Sequence, residues 1–130
     1  MSTNQSKKVN DDYYREKYIM GLIDGHDCEA AAFLNETAAK HTSPMIDVCV
    51  IYNIFQYANE KSGANYPLIK IIGVIDVTLE NAARADVPPV ELSKIIVGTL
   101  FNIKCSRQTL NEIERDTKET ALSNRRMRNV

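Results

Sequence analysis

The residues best able to do chemistry gather between positions 24 and 41. His26, Cys28 and His41 are ligand-type side chains, and Asp24, Asp27 and Glu29 stand among them. A zinc site needs about four converging ligands, and these three candidates stand at no spacing that metal sites use. Asp24, His26 and Cys28 could form a nucleophile with a base, but no motif surrounds them. The plainer reading is a turn in which Asp27 caps a helix that starts at Cys28. Pairs of acids such as Asp11/Asp12, and the set Glu112, Glu114 and Asp116, read as charges on helix faces. No glycine-rich phosphate loop, Walker motif or nucleophile elbow is present. The sequence therefore predicts no enzyme, no metal, no cofactor and no small-molecule substrate. A small enzyme using His26, Cys28 and His41 is the residual class.

The element that must position everything else is the stretch 44–58, PMIDVCVIYNIFQYA, in which Asp47, Asn53 and Gln56 are the only strongly polar side chains. Ser43 is suited to cap its free N–H groups, and Pro44 suits a first helical position. Met45, Val48, Cys49, Tyr52 and Phe55 share one face, and Ile46, Val50, Ile54 and Tyr57 a second. A helix apolar nearly all round belongs inside a bundle. At fifteen residues it is too short to cross a bilayer, which takes about 20. It is expected to be the central buried helix of a soluble domain.

The length of 130 residues suits one compact domain. A net charge of −1 excludes a chain that binds nucleic acid by its overall charge. Charge is unevenly placed, however, since residues 104–130 hold seven Lys/Arg against four Asp/Glu. Three cysteines, Cys28, Cys49 and Cys105, form no close pair. With no apolar signal core at the start, a reducing, cytoplasmic compartment is expected.

Along the chain, residues 1–9 read as a flexible polar arm, 10–123 as the helical domain, and 124–130 as a basic tail. Asn10 opens a helix with Asp11 and Asp12 in its first turn; Tyr14, Tyr18 (or Ile19) and Leu22 form its stripe, and Gly25 stops it. An alanine-rich helix spans Cys28 to about Lys40. Residues 66–85 fit two templates. Ile69, Ile71, Ile75, Val77 and Leu79 alternate as in a strand, while Leu68, Ile71, Ile72, Ile75, Leu79, Ala82 and Ala83 form a helical stripe. The helix fits the whole length, so it is chosen. Pro88-Pro89 forces a boundary, and the helix from Pro89 to about Lys104 is expected to bury Leu92, Ile95, Ile96, Leu100 and Ile103. Ser106, or a capping box from Thr109 to Glu112, opens a last helix with few apolar positions: Leu110, Ile113 and Leu122.

Residues 78–98, TLENAARADVPPVELSKIIVG, resemble the helix-turn-helix of the lambda-Cro and lac-repressor families. Residues 78–83 match their first helix, Asp86-Val87 the turn, and residues 88–95 the recognition helix, with Gly98 at a position where those families often carry glycine. The resemblance implies that Pro88, Pro89, Val90, Glu91, Ser93 and Lys94 approach duplex DNA. Arg125, Arg126 and Arg128 would then add phosphate contacts. The set departs from those families in lacking Arg, Gln or Asn among its reading residues, and Asp86 stands at the turn glycine.

The sequence thus predicts an all-α, single-domain bundle of about six helices around residues 44–58. Its expected function is non-catalytic: a regulatory or assembly protein that binds protein or itself. A helix-turn-helix regulator of transcription is the alternative. No membrane partner is expected.

Overall fold

The computed structural model describes residues 28–128, and side-chain surroundings within that range except at Cys28, Ala31 and residues 120–128. The expected polar arm, the helix from Asn10, and His26 lie outside the described residues. Five helices follow one another: α1 (Cys28–Lys40), α2 (Met45–Ser62), α3 (Leu68–Ala85), α4 (Pro89–Leu100) and α5 (Arg107–Arg128). No strand occurs among the described residues, so residues 68–79 are helix.

Helix α2 packs against each of the other four, while α3 also touches α1 and α4. Its buried residues go almost all the way round: Met45, Val48, Cys49, Val50, Ile51, Tyr52, Ile54, Phe55, Ala58 and Asn59. Three polar side chains on this helix have hydrogen-bond partners. Asn53 donates to Thr117 on α5 at 2.9 Å, and Gln56 donates to the Tyr52 hydroxyl at 2.8 Å. Asn59 accepts from the backbone N–H of Tyr66 at 2.8 Å and donates to its carbonyl at 3.1 Å. That pair fixes the α2–α3 loop, whose Tyr66 ring then stacks near Phe101.

The helix ends follow from local backbone chemistry. Ser43 does not cap α2 as expected: Pro44 occupies the cap position with no side-chain bond, and the Ser43 hydroxyl turns toward the His41 carbonyl. Gly63 closes α2 with a φ of 75°, a left-handed conformation that glycine adopts freely. Asp86 closes α3 in the same region with φ 56°, and Val87 and Asp86 donate back to Ala82 and Ala83. This double return is the Schellman pattern, with aspartate in the glycine's place. Of the two starts considered for the last helix, Ser106 is the one used, its hydroxyl accepting from the N–H of Thr109 at 3.0 Å.

Helix α3 buries Ile71, Ile72, Ile75, Thr78, Leu79 and Ala82, close to the expected stripe, though Ala83 is exposed. Helix α4 corrects the expectation. It ends at Leu100 rather than near Lys104, and it buries Val90, Ser93, Lys94 and Val97. Ile95 is left 66% exposed and Leu100 is also open, while Ile96 and Ile103, as expected, pack against the core, partly buried, and Leu92 is half-buried. The sequence offered two faces, and the one with a charge at its centre packs inward because α5 supplies partners for that charge.

Candidate interaction surface

Burying the 71–72–75–79 face of α3 turns the opposite face out. Ile69, Gly73 and Val77 succeed one another at four-residue spacing, which keeps them in one row along a helix. Ile69 is 61% exposed and Val77 53%, and Gly73 between them is exposed too. A Cβ added at Gly73 would meet nothing within 4 Å among the described residues. A glycine inside a helix costs about 1 kcal/mol against alanine, and the packing of the described residues gives no return for it here.

Beside this row, α1 and α3 enclose an open groove of about 500 Å³. Phe33 and Ile72 form its apolar floor, Ile69 and Gly73 are shared with the exposed row, and Glu36, Lys40 and Asp76 supply charge at its edge. Asp76 holds the two walls together, accepting from His41 and from Lys40, the latter at 3.1 Å. The hydrogen bond from His41, with help from Lys40, holds the Asp76 carboxyl below its ordinary range against the opposing pull of burial. His41 is thereby committed to an interhelical contact, and Cys28 stands at the first position of α1. Among the described residues no group of three or more His, Cys, Asp or Glu is arranged to hold a metal. Cys49 is buried, and burial pushes the Cys105 thiol up, away from the reactive thiolate.

A second polar cluster lies between α4 and α5. Lys94 donates to Glu91 at 3.0 Å, to Asn111 at 2.6 Å and to Glu114 at 2.7 Å. Arg107 also reaches Glu91, and Lys118 reaches Glu114 at 3.0 Å. Burial pulls the Lys94 ammonium down, but the hydrogen bonds to Glu114 and Glu91 outweigh it and hold the group above its ordinary value. Burial likewise pushes Glu114 up, and Lys94 and Lys118 together bring it below the ordinary carboxylate range.

The residues assigned to DNA reading are divided by this arrangement. Pro88 is exposed, and Pro89 and Glu91 are half-buried. Val90, Ser93 and Lys94 turn into the core, with the Ser93 hydroxyl bonded to the Val90 carbonyl at 2.6 Å. In this conformation the three donors of Lys94 are spent on α4 and α5 rather than open to phosphate. Arg125, Arg126 and Arg128 lie in the last turns of α5. Near the α3–α4 corner Ala82 is buried and Ala83 is exposed.

In the sequence Ile69 and Val77 figure only in a strand-like alternation, yet the signal of an exposed row is there: apolar residues at i and i+8 that fall off the core stripe. Among the described residues, no helix is long and apolar enough to cross a membrane. Compared with protein-family models, curated proteins and solved structures, the chain matches none.

Proposed function

We propose that the domain works by binding protein rather than by catalysis, as an oligomer or with a dedicated protein partner, in a cytoplasmic setting. The observation that supports this reading is the exposed row Ile69–Gly73–Val77, continuous with the Phe33/Ile72 groove. Single exposed aliphatics are ordinary, but a contiguous apolar surface with a charged rim is the usual mark of an interaction site. The finer architecture belongs to the same reading: a sixth helix over residues 10–25 completes a bundle around α2. The test is partner recovery and solution mass for the wild-type chain beside an Ile69→Asp/Val77→Asp variant. Association or partner recovery lost in the variant, with helicity retained, is expected; a single-chain mass with no partner in either protein would retire the reading.

A second reading, a regulator that binds duplex DNA, draws on the α3–α4 corner. Three residues join the helices, and Asp86 takes the left-handed conformation at the position where the resembling families carry glycine. Pro88, Pro89 and Glu91 would meet the duplex, with Arg125, Arg126 and Arg128 as phosphate contacts. Binding to duplex DNA that weakens steeply with salt would favour this reading, and none at low salt would remove it.

A further inference from the structure

We infer that the occupant of the Ile69–Gly73–Val77 face is the same face of a second copy of this chain, laid antiparallel about a two-fold axis at Gly73. This rests on the protein-binding reading and names its partner and its contact.

Three observations converge on α3. First, Gly73 sits mid-helix and outward, where an added Cβ meets no atom of the described residues within 4 Å. Nothing among the described residues calls for glycine there, whereas close approach of another backbone does. Second, Ile69 and Val77 stand four residues to either side of Gly73 and are both open. A two-fold axis through Gly73 brings Ile69 of each copy level with Val77 of the other, the self-complementarity that an isologous contact requires. Third, the charges along the exposed side change sign across the same point. Lys70 precedes Gly73, while Asp76, bonded to Lys40 and His41 but still 30% exposed, and Glu80 follow it. An antiparallel copy sets each basic start against the other's acidic stretch; a parallel copy would set like against like. Arg84, further along, is already paired with Glu80 at 3.0 Å. Phe33 and Ile72, beside the row, widen the apolar contact.

The experiment is sedimentation equilibrium of the full chain from low micromolar to submillimolar concentration, with two variants. Wild type should approach the mass of two chains. A Cβ at Gly73 meets none of the described residues, so Gly73→Gln should keep wild-type helicity and unfolding temperature while weakening association at least about tenfold. Gly73→Cys, in a background with Cys28→Ser and Cys105→Ser, should link two copies by a disulfide under mild oxidation, because the axis brings the two positions together. A wild-type chain that stays single throughout overturns the inference. So does a dimer that Gly73→Gln leaves intact and Gly73→Cys does not link. In that last case self-association through another surface still supports the protein-binding reading. A single chain that also loses partner recovery in the Ile69→Asp/Val77→Asp variant removes the second copy alone. A single chain with no partner at all removes both.

Discussion

The ammonium of Lys94 on α4 lies 2.7 Å from a carboxylate oxygen of Glu114 on α5, with the lysine side chain 2% exposed and the glutamate 25%. Glu91 and Asn111 take its other two donors, so a buried cation is fully satisfied by one residue of its own helix and two of the next. A charge in this position makes α4 and α5 depend on each other. Removing one partner leaves the others desolvated for nothing, which is why breaking such a set costs more than its net contribution.

Lys94→Ala and Glu114→Ala should therefore each destabilise the fold by about 2 kcal/mol, below the cost of breaking a fully buried pair because both glutamates keep some water and a second cation. Lys118→Ala removes only an exposed contact to Glu114 and should change stability by less than about 0.5 kcal/mol. Urea unfolding of the three variants checks the contrast. Equal losses at Lys94 and Lys118 would mean that the cluster is open to solvent.

The same cluster sets an acid limit. Glu114 and Asp76 both titrate below the ordinary carboxylate range in the folded chain, held there by Lys94 with Lys118 and by His41 with Lys40. A carboxylate whose folded value is depressed contributes stability above its unfolded value, near 4, and loses it as pH falls through the folded one. Lys94, raised when folded, contributes below its unfolded value near 10.4 and loses that only in strong base. Stability should fall below about pH 4.5 as these carboxylates take up protons. Glu114→Gln should make that acid limb shallower, which a series of urea midpoints from neutral to acid pH will read.

The sequence made the helical character readable, because the 3.6-residue period ran through residues 66–85 more fully than the two-residue alternation did. It located the break at Pro88-Pro89, since proline's missing N–H acts on the chain itself. It could not orient α4. Leu92, Ile95, Ile96 and Leu100 outnumber the aliphatics of the opposite face, yet Lys94 goes inward because Glu114 and Asn111, seventeen and more residues later, meet it there. Distant polar satisfaction of this kind has no local signature. Ser43 misled for a related reason: Pro44 already fixes the entry to α2, and Val48 and Asp47 bond back to the Pro44 carbonyl without a side-chain cap. The candidate surface was half legible. Ile69 and Val77 were visible as β-branched residues, but their exposure needed the α3 stripe to be settled first.

Two glycines should respond oppositely to alanine. Gly73→Ala fills open space in a helix interior and should stabilise the isolated chain by up to about 1 kcal/mol, read at a concentration low enough to avoid association. Gly63→Ala puts a Cβ on a residue with φ 75° at the end of α2 and should cost about 1 kcal/mol. Thr42 presents the complement, a branched side chain at φ 48° after α1, where Thr42→Gly should be stabilising. Thermal melts of the three variants test the assigned backbone conformations.

The orientation of α4 itself can be decided by a pair of neighbours on opposite faces. Val97 is 1% exposed and belongs to the core cluster that also holds Phe101 and Leu110. Val97→Ala leaves a cavity and should cost about 2 kcal/mol. Ile95, two residues earlier, is the most exposed large aliphatic of the described residues, so Ile95→Ala should fall within about 0.5 kcal/mol of wild type. The reverse ranking is what an aliphatic-face-inward α4 would give, with Lys94 then facing solvent and free to meet phosphate. Urea unfolding of this pair therefore bears on function as well as on fold. A costly Ile95 would reopen the base-reading face, whereas a costly Val97 keeps Lys94 inside, bound to α5.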